Sequence, residues 1–324
     1  MTSRRNFLAA AAAAPLAYTA GAFLPAWAQS APALGQPTLP TPGFHRVRLG
    51  EAEVLSLNDG VTRRPLAEGF VRNAPLADVR AALAGQGLPT EYLDVPYTAF
   101  FAAIGGRRVL MDTGFGDWGG PTTGKVQGHL QAAGVSPEQV DAVVITHFHG
   151  DHINGLRLRS GAFPYSRAKV YVPEPEYAFW MDDARMEAAP AAMKPAFENV
   201  RRVFAQMPAG MLQRFTPGAE PVPGIASIAA FGHTPGHTLF EVGRGRESFT
   251  FVADTTNVPS LFALNPDWAV MFDMDAEAAR VTRRAVFTRL AERGGLVGGY
   301  HFPGTAIGRL SVQGQGFRFD ALTA

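Results

Sequence analysis

Short apolar and β-branched runs, separated by turns rich in glycine, recur along much of this chain. The first two, at residues 47–57 and 99–112, alternate apolar and polar positions, and turn signals stand at residues 58–60 and 105–106. A period of two is typical of strands that bury one face. The pattern therefore predicts antiparallel strands at the start of a sheet.

The later part of the chain mixes further strands with helices. Strands are predicted at residues 140–146, 169–172, 225–230, 239–242 and 248–253. The clearest helix covers residues 275–293, because Asp275 suits an N-cap and Gly294 follows the last turn. Such a mixture indicates a layered α/β protein.

A helical stretch rich in methionine, tryptophan and phenylalanine lies between these strands, at residues 173–211. Aromatic residues at helical spacing usually belong to a core, so a helical pair that buries its own apolar face is one interpretation. The alternative is an insert that faces the substrate. The sequence leaves both open.

The chemistry is concentrated in the motif HFHGDH at residues 147–152, directly after the predicted strand at residues 140–146. Loops at the carboxyl ends of buried strands are where open α/β folds bind ligands. Imidazole and carboxylate side chains together are suited to zinc and similar divalent ions. Burying three histidines and an acid without a metal would require many compensating partners.

Three further candidates stand at similar positions downstream. They are His237 in the motif GHTPGHT, Asp254 after the strand at residues 248–253, and His301 in the motif GYHFP. With the histidines of HFHGDH, five of the eight histidines fall where a strand passes into a loop. We therefore expect these side chains to converge on one site.

These motifs, together with Asp112-Thr113-Gly114, resemble the metallo-β-lactamase superfamily over residues 44–310. Within it, the chain is most similar to the methyl parathion hydrolase-like and quorum-quenching lactonase-like branch. The resemblance implies an α/β fold of the four-layer αβ/βα sandwich type. Two sheets would face each other, and helices would cover the outside.

The resemblance also implies two metal sites. The implied ligands are His147, His149 and His237 for one metal, and Asp151, His152 and His301 for the other, with Asp254 bridging both. Asp151 would in addition be the catalytic residue that orients the attacking hydroxide. Metal-bound imidazoles commonly donate their second N–H to a neighbour, and the candidates for that role are Asp112, Thr146 and His233.

The implied cofactors are two divalent metal ions, with zinc favoured and manganese, iron or cobalt as alternatives. The implied function is a dinuclear metal-dependent hydrolase that uses a metal-bridging hydroxide on a lactone, an ester or an organophosphate triester. A glyoxalase II-like thioesterase and a β-lactamase are the alternatives within hydrolysis. A di-iron redox protein and a non-catalytic metal-binding protein are alternatives of another class.

Composition narrows these choices. At 324 residues, with 47% hydrophobic and 18% charged residues, the chain can bury a large core in one catalytic domain. The chain has no cysteine, which excludes disulfides and thiolate metal ligands. Its formal net charge of +1 gives nucleic acid no electrostatic reason to bind, so we expect a small-molecule substrate.

The amino terminus predicts export. Residues 1–28, with Arg4 and Arg5 before an apolar stretch that ends in Ala-Trp-Ala, resemble a twin-arginine signal peptide. A proline-rich linker at residues 29–43 and a hydrolase domain at residues 44–324 would follow. We expect cleavage, a periplasmic or secreted protein, no stable membrane insertion afterwards, and the Tat translocase as a transient partner. A homodimer remains open.

Overall fold

Two β-sheets pack face to face in the computed structural model of the chain, which describes residues 32–323. The first sheet contains β1 (Phe44–Leu49), β2 (Ala52–Pro65), β3 (Tyr92–Ile104), β4 (Arg107–Met111), β5 (Ala142–Val144), β6 (Lys169–Pro173) and β7 (Leu212–Phe215), in this spatial order. The second contains β8 (Ile225–Ala229), β9 (Thr238–Arg244), β10 (Glu247–Ala253), β11 (Leu296–Gly299), β12 (Ile307–Gln313) and β13 (Gly316–Ala321). Its spatial order is β13, β12, β11, β10, β9 and β8.

Both sheets mix parallel and antiparallel pairs. Strands β1 to β4 pair antiparallel, whereas β4, β5, β6 and β7 pair parallel. In the second sheet β10 and β11 are parallel and the other pairs are antiparallel. Parallel neighbours have their carboxyl ends at the same edge of a sheet, so the loops after them lie close together.

Helices flank the sheets. They are α1 (Leu76–Ala84), α2 (Val126–Ala132), α3 (Gly150–Ile153), α4 (Glu174–Trp180), α5 (Asp183–Ala188), α6 (Lys194–Phe204), α7 (Pro259–Phe262) and α8 (Ala276–Arg293). Short 3-10 turns cover Pro32–Leu34, Gly116–Trp118, Pro137–Gln139 and Asn154–Leu156. The expected sandwich of two sheets with helices outside is confirmed.

Helix α8 begins and ends as its sequence predicts. The Asp275 carboxylate accepts a hydrogen bond from the Ala278 N–H at 3.0 Å, which satisfies a free amide of the first turn. Gly294 ends the helix in the left-handed conformation, with φ at 72°. Local sequence therefore determines both ends of this helix.

The core lies between the sheets, where aromatic side chains meet. The ring of Phe100 on β3 lies 5.1 Å from that of Phe249 and 4.8 Å from that of Phe251, both on β10. All three are fully buried. Removal of such a ring typically costs about 3–5 kcal/mol, so these contacts hold the two sheets together.

The turn predicted at residues 58–60 is wrong. Strand β2 continues through this segment, and its pairing with β3 shifts register between Asn58 and Gly60. Such a bulge increases the local twist of a strand. Gly60 has a φ of 143°, and a Cβ there would lie 1.9 Å from the Thr122 carbonyl oxygen, so glycine is required by close approach of the backbone.

The aromatic stretch after β6 forms α4, α5 and α6. Trp180 and Phe197 are both buried, and their ring centroids lie 4.8 Å apart. This contact favours the interpretation as helices that bury their own apolar face.

The predicted signal peptide, residues 1–28, lies outside the described residues, as do residues 29–31 of the linker. Among residues 32–323, no helix combines the length and apolar character needed to cross a bilayer.

Candidate metal centre

The loops at one edge of the two sheets bring two groups of histidine and aspartate side chains together. The HFHGDH motif follows β5, Asp254 follows β10, His301 follows β11, and the GHTPGHT motif connects β8 with β9. One group consists of His147, His149, His233 and Asp254, and the other of Asp151, His152 and His301. Within each group the candidate ligand atoms all lie within 4.8 Å of one another.

Three nitrogen atoms define the first group. His149 Nδ1 lies 3.0 Å from His147 Nε2 and 3.0 Å from His233 Nε2. Nitrogen ligands on a tetrahedral zinc ion, with bonds of about 2.0–2.1 Å, are roughly 3.3 Å apart. The three imidazoles are therefore spaced almost as a bound metal would require.

The second group is built around Asp151. Its Oδ2 lies 3.4 Å from His152 Nε2 and 3.8 Å from His301 Nε2. All three side chains are buried.

Asp254 lies between the groups. Its Oδ2 is 3.3 Å from His233 Nε2 of the first group and 3.2 Å from His301 Nε2 of the second. Its Oδ1 is 3.4 Å from His152 Nε2. The carboxylate therefore has the position expected of a bridging ligand.

Two buried atoms test whether a metal fits here. In the described part of the chain, His152 Nε2 and Asp254 Oδ1 have no hydrogen-bond partner. A buried polar atom without a partner costs about 1–3 kcal/mol. A divalent ion would satisfy both atoms, and imidazole and carboxylate are the ligands that zinc accepts. The residues present therefore fit two metal ions.

His237, predicted as a ligand of the first metal, is not among the side chains that the structure groups there. Its Nδ1 donates to the Ala230 carbonyl oxygen at 3.0 Å, and its Nε2 accepts from the Asp254 N–H at 3.1 Å. Both ring nitrogens are thus engaged by backbone groups. The first histidine of GHTPGHT, His233, lies in the first group instead. The other six predicted ligands all fall within the two groups.

Asp112 and Thr146 lie behind the histidines, as expected. The His152 Nδ1–H donates to Asp112 Oδ2 at 2.7 Å. The same carboxylate accepts from the Thr146 hydroxyl and from the Thr146 N–H, each at 2.8 Å. These bonds fix the orientation of the imidazole and leave its Nε2 for a metal.

A buried ion pair holds His233, and sequence reasoning did not identify it. His233 Nδ1 donates to Asp273 Oδ1 at 2.9 Å, and the guanidinium of Arg283 lies 3.4 Å from Asp273 Oδ2. Arg283 also donates to three backbone carbonyls, those of Thr255, Pro266 and Trp268. In the sequence, Asp273 stands in the acidic motif MFDMD at residues 271–275, and Arg283 stands in the arginine-rich helix that follows it.

A buried glutamate connects the two histidine-bearing loops. Glu176 Oε1 accepts from the Phe148 N–H at 2.9 Å and from the Trp180 indole N–H at 2.7 Å. Glu176 Oε2 accepts from the Gly236 N–H at 2.7 Å. Phe148 and Gly236 are 28 and 60 residues away from Glu176 along the chain. No local sequence pattern therefore predicts these two contacts.

Backbone strain also occurs at the site. Asp112 and Ala253 have φ values of 60° and 44°, in the left-handed region that non-glycine residues rarely adopt. Asp112 orients His152, and Ala253 directly precedes Asp254. Conformations of this kind cost on the order of 1–3 kcal/mol each and cluster at functional sites.

Electrostatics divides the histidines into two sets. Burial lowers the pKa of His147, and it lowers that of His149 to about 3, so both rings are neutral and available to a metal at neutral pH. Burial acts against a charge on His152 too, but Asp151, Asp254 and Asp112 raise its pKa above the ordinary value. The buried carboxylates around His152 therefore favour a positive charge at this position.

Comparison with known proteins agrees with this architecture. Residues 93–293 match the model of the metallo-beta-lactamase superfamily. A stretch of 51 residues is 47% identical to ribonuclease Z of Aeropyrum pernix, an alignment that covers 16% of this chain and 14% of the ribonuclease. The chain thus spans a small part of that curated relative.

Solved structures are similar over most of the chain. The dizinc quorum-quenching lactonase AidC, in complex with the product N-hexanoyl-L-homoserine, has a TM-score of 0.79 at 24% identity, covering 87% of this chain and 98% of AidC. The hydrolase AbOPH of the beta lactamase superfamily has a TM-score of 0.81 at 25% identity, covering 89% and 99%. A probable metal-dependent hydrolase from Staphylococcus aureus has a TM-score of 0.70 at 18% identity, covering 85% and 98%.

Proposed function

Because the chain belongs to the metallo-β-lactamase superfamily, we propose that it is a dinuclear metal-dependent hydrolase acting on a lactone, an ester or an organophosphate triester. The observation that carries the proposal is the position of Asp254, whose Oδ2 lies 3.3 Å from His233 Nε2 and 3.2 Å from His301 Nε2. A single carboxylate at ligand distance from both groups is suited to two adjacent cations. The structural similarity to AidC supports a lactone as the leading substrate class.

The residues that would hold the two ions fall into the groups already described. His147, His149 and His233 would bind one, Asp151, His152 and His301 the other, and Asp254 both. When bound, two divalent ions polarise a carbonyl or phosphoryl oxygen and lower the pKa of water. Zinc is favoured by the ligand set, which has no thiolate.

In this proposal Asp151 would be the residue that moves a proton. Its Oδ2 faces His152 and His301, so the other oxygen, Oδ1, would be the one that accepts a proton from the attacking water. The carboxyl group would then return this proton to the alkoxide that leaves as the ester or lactone bond breaks. The Tyr300 hydroxyl donates to the Asp151 carbonyl oxygen and so fixes this segment.

A substrate panel tests the proposal. Protein reconstituted with zinc should hydrolyse at least one of an N-acyl homoserine lactone, phenyl acetate and a phosphotriester, and metal analysis should find two ions per chain. An Asp254→Ala variant should lose much of the metal and the activity together. A glutathione thioester, a chromogenic β-lactam and a structured RNA complete the panel. The proposal would be contradicted if the protein hydrolysed one of these last three compounds and none of the first three.

We also propose that the protein is exported through the twin-arginine route, because residues 1–28 resemble a twin-arginine signal peptide. Changing Arg4 and Arg5 to lysine should keep the protein in the cytoplasm, as measured by cell fractionation with a periplasmic marker. Unchanged delivery to the periplasm would show that another route is used.

A further inference from the structure

A half-buried arginine, Arg64 on β2, is connected through a few side chains to both groups of candidate metal ligands, called the metal groups below. Its guanidinium carbon lies 5.3 Å from the ring centroid of Phe70 and 5.2 Å from that of Phe272. Two phenylalanine rings therefore pack near the cation, at distances that suit cation–π attraction. The guanidinium N–H groups can then donate to acceptors that lie in the plane of the guanidinium.

Arg64 lacks the partners that such a cation usually has. Its Nε is buried and forms no hydrogen bond within residues 32–323, and no carboxylate in that range forms an ion pair with it. Arg63, the neighbour on the opposite face of β2, instead donates from Nε to Asp94 Oδ1 at 2.7 Å. A partly desolvated cation gains most from an acceptor supplied by a ligand.

Contacts on one side of Arg64 lead to the second metal group. Thr62 is two residues before Arg64 on β2, so both side chains lie on the same face of the strand. The Thr62 hydroxyl lies 2.9 Å from the Tyr97 hydroxyl, and the Tyr97 ring packs edge-on against His301 with centroids 5.2 Å apart. Tyr97 therefore connects the Arg64 face of β2 with His301.

Contacts on the other side lead to the first metal group. Phe272, which packs near the Arg64 guanidinium, directly precedes Asp273 in the chain. Asp273 in turn accepts from His233 at 2.9 Å. Arg64 is thus connected to His233 through Phe272 and Asp273, and to His301 through Thr62 and Tyr97.

We propose that Arg64 is a specificity-determining residue that binds a second oxygen acceptor of the substrate, of the amide-carbonyl type, while the scissile carbonyl lies at the metal groups. This inference rests on the proposed function. A planar guanidinium donates to a planar carbonyl through parallel N–H groups, so the chain should prefer lactones and esters that carry such an acceptor.

The test uses zinc-loaded protein and two ring-opened acids of equal length, measured by calorimetric titration. One is N-hexanoyl-homoserine, and the other replaces its amide by two methylene groups. The ratio of their dissociation constants should change on the order of tenfold in Arg64→Met relative to the wild type, because a hydrogen bond to a charged group is lost. Arg64→Lys, which keeps the charge without the planar fork, should give an intermediate ratio.

Arg63→Met is the matched control, since it removes an arginine from the opposite face of the same strand and should leave the ratio unchanged. The corresponding lactones add a kinetic readout, in which Arg64→Met should raise the KM of the amide substrate with kcat little changed. Metal content and thermal unfolding establish that each variant is loaded and folded.

The proposal would be overturned if the ratio of the two dissociation constants were the same in the wild type and Arg64→Met. It would also be overturned if the wild type bound neither acid. Failure of the proposed function is separate, because it would appear as no turnover of either lactone by the wild type. When the wild type binds the acids, the ratio of their dissociation constants reports on Arg64 whether or not the lactones are turned over.

Discussion

His237 Nε2 accepts a hydrogen bond from the backbone N–H of Asp254 at 3.1 Å. This bond joins the β8–β9 loop to the end of β10 and places the Asp254 carboxylate between the two metal groups. His237 thus holds Asp254 through its backbone, whereas His233, four residues earlier, presents its Nε2 to His149.

The two histidines of this loop should therefore respond differently to substitution. His233→Ala should remove a nitrogen ligand and lose one of the two metal ions, as measured by elemental analysis after dialysis. His237→Gln can still donate to Ala230 and accept from Asp254, so it should keep both ions with a stability loss of about 1–2 kcal/mol. Loss of metal from the His237 variant with retention in the His233 variant would restore the sequence-based assignment.

Asp151→Asn tests the proton transfer. The variant keeps the side-chain size, so the fold should remain, but its amide cannot accept the proton from water. Turnover should fall by about 10²–10⁴-fold, the range typical of a lost general base. Metal content is measured in parallel, because Asp151 is also a candidate ligand. Wild-type rates on every active substrate would count against this role.

Glu176→Gln tests the connection between the two histidine-bearing loops. Glutamine would direct an NH₂ group at backbone donors that now bond to Glu176 oxygens, so the free energy of unfolding should fall by about 1–3 kcal/mol. Zinc affinity should fall by about 10–100-fold, as is common for groups that hold metal ligands in place. The control is Glu174→Gln, two residues away, where the side chain is 45% exposed. Equal zinc affinity in both variants would remove Glu176 from this role.

Asp59 should make stability depend on pH. Burial raises the pKa of this carboxyl from 3.8 to about 6, although it accepts from the backbone N–H groups of Phe115 and Val126 at 2.8 and 3.0 Å. Between these pKa values the folded state holds a proton that the unfolded chain has released, so stability falls as the pH rises toward about 6 and then levels off.

Metal-free protein is the suitable material, because metal release would otherwise add its own pH dependence. From about pH 5 to about pH 7, the free energy of unfolding of the wild type should fall by about 1 kcal/mol relative to Asp59→Asn. Urea titrations of both proteins measure this difference. Parallel pH profiles would show that the folded carboxyl titrates at its ordinary value.

Much of the fold followed from local sequence. The N-cap at Asp275 and the left-handed Gly294 set the ends of α8 because each acts on the backbone next to it. The turn at Gly105 and Gly106 separates β3 from β4 as predicted. The turn predicted at Asn58 to Gly60 failed, because a bulge uses the same residue types as a turn and only the approach of Thr122 distinguishes the two.

The sequence by itself determined that HFHGDH, Asp254 and His301 are candidates for one site, since each follows a predicted strand, carries metal-ligand chemistry and matches the motifs of one family. Only the tertiary structure decided between His233 and His237, because both stand in the same loop and differ in which backbone groups reach their ring nitrogens. The roles of Glu176, Asp273 and Arg64 also depend on contacts between distant segments. Such contacts arise when the two sheets pack, and no spacing along the chain records them.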